Sequence, residues 1–218
     1  MNDIIQRTSG WSVLQVLRYL IPNRGGVTFE EALRVAELQA SQLLQVLDID
    51  EFPVLNETIS ELPRIRIEYS DDLPSFGLSF WNGRCWIIEL STRQSRARQR
   101  FTLFHEYKHI IDHGSAARLY PGDARHKATV QAELVADYFA GCVLVPRRAL
   151  KSAWGHGVQK VHDLARLFDV SEQAIAVRLD QTGLRQPLEG CHQSTSAPRW
   201  WIAPSRASST FCTRGATA

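Results

Sequence analysis

A mostly helical α+β fold with one small sheet is what this sequence predicts. Three observations carry it. Apolar side chains recur at helical spacing through most of the 218 residues. Only the stretch 64–90 departs from that period and alternates. Within it, Asn82-Gly83 separates two β-rich apolar runs, a strong signal for a hairpin.

The elements follow in order. WSVLQVLRYLI at 11–21 is apolar at helical spacing and ends at Pro22. Thr28-Phe29-Glu30-Glu31 has the form of a capping box, in which the Thr hydroxyl serves one free amide and Glu31 reaches back to another. The run EALRVAELQASQLLQVL then continues as a helix, and a short helix is expected over 57–62. RIRIEY at 64–69 alternates, and LSFWNGRCWIIEL at 78–90 forms the hairpin, so the sheet has about three strands. Thr92 to His113 is a long helix stopped by Gly114, and Lys127 to Leu144 a second, stopped by Pro146. Two shorter helices cover 158–168 and 172–182. LEGCHQSTSAPRWWIAPSRASSTFCTRGATA at 188–218 has no periodicity and reads as a disordered tail. The expected organisation is an N-terminal helical extension at 1–29, a core at 30–155, a helix-turn-helix-like closure at 156–187, and the tail.

Composition narrows the class. At 44% hydrophobic and 22% charged residues, the chain is ordinary globular material, which excludes fibrous or wholly disordered readings. The net charge of +2 hides an asymmetry. Residues 1–92 carry seven basic and thirteen acidic side chains, whereas residues 93–187 carry fifteen and nine. The four cysteines (Cys85, Cys142, Cys191 and Cys212) show no CxxC spacing, so a disulfide framework is not expected. No signal peptide or membrane span is read, and the expectation is a cytoplasmic protein with reduced thiols.

The chemistry concentrates in FHEYKH. His105 and His109 lie four residues apart in a predicted helix, so both imidazoles face one way and can reach one zinc ion. Glu106 sits about 100° round the helix and is placed to take a proton from a water rather than to bind the ion. An accidental match on a polar helix face is the plainer alternative. Phe101, Leu103, Phe104, Ile110 and Ile111 argue against it, because they make this a packed helix whose polar stripe needs a reason.

A catalytic zinc ion takes three protein ligands and keeps one position open. His113 is one turn beyond His109, and three ligands straight up one helix do not converge well on a single ion. It is read as a group at the rim that supports the ligands without binding the ion, with ligand as the lesser reading. Glu133, in AELVADYFAG on the next long helix, is the better third ligand. Asp137 follows on the same face and can accept the remaining N–H of a ligating imidazole. The alternative is an ordinary pair of surface acids.

These motifs resemble known proteins. H-E-x-x-H followed by E-x-x-x-D on a later helix resembles the thermolysin-like zinc peptidases. RFTLFHEYKHIIDH followed by AELVADYFAGCVLVP is more specifically similar to the ImmA/IrrE family of bacterial and phage metallopeptidases. Arg100, Phe101, Thr102, His105, Glu106, His109, His113, Glu133, Ala136, Asp137, Phe139, Ala140, Leu144 and Pro146 match that family's pattern. Val135 and Lys108 depart from it, the second placing a bulky cation beside the metal motif. The resemblance spans roughly residues 30–184. It implies a zincin-like domain with an antiparallel or mixed sheet packed on the HExxH helix. One zinc ion would be held by His105, His109 and Glu133, with Glu106 as general base. The protein substrate it implies is a helix-turn-helix transcriptional repressor, cut to derepress phage, mobile-element or stress genes. An edge of the hairpin is expected to pair with an extended peptide. Tyr107, Tyr120, His126, Tyr138 and His156 all remain open as the group that stabilises an oxyanion.

Two other functions compete: a non-cleaving protein that docks to a regulator, and a DNA-binding regulator using 158–182. The second helix of that pair offers Gln173, Arg178 and Gln181 but also Glu172 and Asp180, which is poor chemistry for a DNA reader. The segment is expected to pack through Leu164, Leu167, Phe168, Val170, Ile175, Val177 and Leu179, and direct nucleic-acid binding is not expected. The basic run RQSRARQR at 93–100 is unfavourable at a helix start and calls for an acidic partner, either another protein or, as the favoured reading, the N-terminal region of the same chain. Trp200-Trp201 is read as part of a dispensable extension.

Overall fold

The computed structural model describes residues 11–184. The tail at 188–218, with Cys191, Cys212 and Trp200-Trp201, lies outside the described residues.

The elements run α1 (Val13–Tyr19), α2 (Phe29–Val46), α3 (Glu57–Ser60), β1 (Ile65–Ser70), β2 (Gly77–Trp81) and β3 (Trp86–Ser91). They continue with α4 (Arg96–Asp112), α5 (Ala116–Leu119), α6 (Ala128–Leu144), α7 (Arg147–Gly155), α8 (Val161–Phe168) and α9 (Glu172–Thr182). The fold is α+β, as the alternation of 64–90 against a helical background requires.

Local chemistry sets several boundaries. Thr28 caps α2 as its sequence predicts: its hydroxyl accepts from Glu31 N–H, and the Glu31 carboxylate accepts from Thr28 N–H at 3.0 Å. Helix α4 begins at Arg96 rather than Thr92, because the Ser95 hydroxyl accepts from Arg98 N–H and fixes the N-cap there. Pro146 ends α6 but also opens α7, occupying its N-cap with φ −62°. Read only as a stop, it hides the helix that follows.

The sheet is mixed, in the order β1-β3-β2. β3 pairs parallel with β1, so the hairpin is antiparallel and the third strand is not. The hairpin loop is held by Asn82, whose Oδ1 accepts from the N–H groups of Arg84 and Cys85, both at 2.9 Å. Just outside the β2–β3 ladder, Ser91 N–H donates to Phe76 C=O and Asn82 N–H to Cys85 C=O. In an antiparallel ladder the bonded pairs alternate. Leu78 and Phe80 therefore bond to β3, while the N–H groups of Gly77, Ser79 and Trp81 point to the free edge.

Helix α4 lies at the centre, between the sheet and α6, and α2 covers the far side of α6. Phe104, Tyr107, Ile110 and Phe139 are fully buried there, and burial of each large side chain contributes about 1.5–3 kcal/mol. Arg18 on α1 donates to the carbonyls of Ile110 and Ile111 at 2.7 and 3.1 Å, placing a cation on the C-terminal end of α4. The C-terminal pair α8–α9 packs through Leu164, Phe168, Ile175, Val177 and Leu179, with Val170 partly buried against the core. Leu167 departs from the expected packing: it faces outward, 42% exposed.

The basic run also finds a different partner from the one expected. Arg100 is buried and binds the Asp169 carboxylate at 2.7 Å and its carbonyl, in the α8–α9 turn. The acid comes from the C-terminal helices, not the N-terminal region, because α4 points its first turns toward them. Arg98 instead lies over the Phe76 ring, 4.6 Å from its centroid. The cation of α9, Arg178, is buried and donates to Val145 C=O, so it is not offered to DNA. No single described helix is long and apolar enough to cross a membrane.

Candidate metal centre

Residues 105 and 109 fall on the side of α4 that meets α6, and residues 133 and 137 on the side of α6 that meets α4. The structure brings all four together. His105 Nε2 and His109 Nε2 are 3.1 Å apart. His105 Nε2 lies 3.4 Å from Glu133 Oε2, and His109 Nε2 lies 3.4 Å from the other oxygen, Oε1. A tetrahedral ion with bonds of about 2.0–2.1 Å keeps its ligand atoms about 3.3–3.4 Å apart. One ligand atom from each of the three residues lies within 4.8 Å of the others, close to that spacing, and they form a group able to hold a metal ion.

The proton arrangement agrees. Asp137 Oδ1 lies 2.7 Å from His105 Nδ1. A carboxylate can only accept, so Nδ1 carries a proton and Nε2 is the ring atom turned into the cluster. Two imidazole lone pairs 3.1 Å apart repel unless a proton or cation lies between them. Burial disfavours a charged His105 ring, but hydrogen bonds to Asp137 and Glu133 and the charges of Asp137 and Glu106 outweigh it and push its pKa up to about 10. His109 moves the other way, lowered by burial and by the neighbouring His105 charge. Burial raises the Glu133 carboxyl, yet the His105 hydrogen bond and the charges of the two histidines leave it below its ordinary value. The cluster is a concentration of negative charge that favours a cation.

Glu106 is turned toward the sheet. Its Oε2 accepts from the Ser79 hydroxyl at 2.8 Å. Gly77, on the same face of β2, permits this approach: a Cβ there would meet Thr102 Cγ2 at 2.5 Å and Glu89 C=O at 2.9 Å. Nothing in the sequence marks Ser79, which becomes visible only when β2 lies along α4.

Lys108, the cation beside the metal motif, points away from it. Its Nζ donates to both Asp112 oxygens at 2.5 and 2.6 Å, and Asp112 also accepts from the Tyr120 hydroxyl. His113 ends α4 outside the three-ligand group and meets the Trp86 ring edge-on at 4.9 Å between centroids. Of the five candidates for an oxyanion donor, Tyr107 is buried in the core and Tyr120 is bound to Asp112. Tyr138 donates to Glu37, His156 Nδ1 meets its own helix carbonyl at Ser152, and His126 stacks on Phe29.

Residues 64–180 match the IrrE N-terminal-like domain of peptidase family M78. The chain belongs to this family. The matched segment holds both histidines, both glutamates and Asp137, and membership implies a metal, commonly zinc. No curated protein gives a significant match. Among solved structures, a Mycobacterium tuberculosis transcriptional regulator is similar with a TM-score of 0.57 at 16% identity. That similarity covers 77% of this chain and 51% of the regulator, so the chain spans about half the length of the solved structure it matches. At that identity the likeness concerns the fold.

Proposed function

We propose that this family member is a zinc-dependent endopeptidase. The observation that carries the reading is the convergence of His105, His109 and Glu133, whose ligand atoms lie within 4.8 Å of one another, with Glu106 hydrogen-bonded to Ser79.

His105, His109 and Glu133 would hold the ion, which when bound supplies a Lewis acid and lowers the pKa of water. Asp137 fixes the His105 tautomer. The Ser79 hydroxyl occupies one Glu106 oxygen and leaves the other to accept a proton from the attacking water and return it to the departing amine. The free edge of β2 offers the Ser79 and Trp81 N–H and C=O groups and the Gly77 N–H to an extended peptide. The Gly77 carbonyl already accepts from Ser75. Such pairing lays the peptide backbone past Glu106.

The substrate class follows from the family resemblance: a helix-turn-helix transcriptional repressor. Mass spectrometry of a repressor encoded beside this gene, after incubation with the full chain and zinc, tests the reading. One defined cut, absent with Glu106→Gln, is expected. An intact repressor that nonetheless forms a complex would replace cleavage by docking.

A further inference from the structure

A free strand edge is a liability, and proteins commonly protect one with charge, proline or cover. The edge strand β2 does the opposite. Phe80 and Trp81 are 38% and 45% exposed, and Phe76 just before the strand is 46% exposed. Of the three, Trp81 lies on the face of the strand that also carries Ser79 and meets Glu106. Gly77, Ser79 and Trp81 share the face toward α4. Along it, Gly77 meets Thr102, Ser79 meets Glu106, and Trp81 leads on to the far end of the helix. There the Trp81 ring packs on Trp86 with centroids 5.6 Å apart, and Trp86 on His113 at 4.9 Å. An aromatic wall therefore runs from the free edge to the C-terminus of α4, one turn beyond His109.

A peptide paired with β2 places its side chains opposite those of the strand, with directly opposed residues on the same face. The residue opposite Ser79 lies at Glu106. The residue two positions away, opposite Trp81, has its side chain against the aromatic wall. We propose that Trp81, backed by Trp86 and His113, is a specificity subsite that selects a large apolar or aromatic side chain two residues from the position opposite Ser79. This rests on the peptidase reading for its register, but the wall is a binding surface whether or not the peptide is cut. Selectivity comes from water excluded between two apolar groups, a preference of about ten-fold or more over alanine or aspartate.

The test uses the full-length zinc-loaded chain and a mixture of synthetic peptides of even composition, with cut products sequenced by mass spectrometry. Leu, Phe, Tyr or Met should be enriched about ten-fold at one position within about two residues of the cut bond. Trp81→Ala should flatten that position alone, and Trp81→Phe should restore it. In parallel, Glu106→Gln protein is titrated by calorimetry with one peptide carrying Phe at that position and one carrying Ala. Tighter binding of the Phe peptide, lost with Trp81→Ala at unchanged zinc content, supports the subsite. If the Phe peptide binds in this way but the unmutated enzyme cuts no peptide, the subsite stands and the peptidase reading fails. Enrichment that survives Trp81→Ala, or equal binding of the two peptides, overturns the subsite.

Discussion

Helix α4 carries two polar stripes, and they are built on opposite plans. On one side Lys108, Asp112 and Tyr120 form a buried set in which every charge has its partner inside the chain: 1% of Lys108 and 3% of Asp112 remain exposed, and the ammonium contacts both carboxylate oxygens. On the other side His105, His109, Glu133 and Asp137 are partly open to solvent. They converge two imidazoles and two carboxylates, and without a metal the positive charge among them is the proton held by His105, whose pKa is pushed up to about 10. One stripe is complete as folded. The other becomes complete when something positive is added. The same helix shows what a protein does with polar groups needed for structure and with polar groups kept for a ligand.

The largest expected effect probes the open stripe. Glu106→Gln should retain zinc, measured by metal analysis, and lower repressor cleavage by about 10²–10⁴-fold. Undiminished cleavage would remove Glu106 from the chemistry and break the distinction. The closed stripe gives the next effect. Lys108→Met strands the Asp112 carboxylate and should cost about 3–5 kcal/mol in denaturant unfolding, because a buried charge loses its partner. Changing both residues, Lys108→Met with Asp112→Leu, should recover much of that loss. A double variant no more stable than the single would show that the pair is more than a mutually compensating couple. Asp137→Asn tests whether the open stripe depends on a second layer. Zinc affinity, measured by chelator competition, should fall about 10–100-fold with little change in the metal-free unfolding curve. The smallest effect lies off both stripes and sets the scale: Thr28→Ala removes the α2 cap and should cost about 1 kcal/mol. The Glu31 carboxyl is held below its ordinary value chiefly by the Thr28 N–H. Its contribution is therefore present above the ordinary carboxylate range and is lost as pH falls through the lowered value.

Much of the site was legible in the sequence because helix geometry is local. His105 and His109 share a face by spacing alone, and the placement of Glu133 and Asp137 one turn apart on a helix of small residues was readable in the same way. The helix at 147–155 was not, because Pro146 signals an end and a beginning equally well. Neither was the exposure of Leu167, since a short amphipathic helix has a wider apolar stripe than its neighbours cover.

What the sequence by itself determined is the inventory: the helical period, the hairpin at Asn82-Gly83, the Thr28 cap, and ligand-type side chains at helical spacing. Those depend on residues a few positions apart. The tertiary structure decided which lone pairs meet, with His105 reaching Asp137 across 32 residues of chain and Ser79 reaching Glu106 across 27. It also turned Lys108 inward to Asp112 and drew Arg100 to Asp169 rather than to the acidic N-terminal region. A side chain's type is written locally, but its partner depends on how α4 is rotated between the sheet and α6, and that rotation is set by the burial of the whole core.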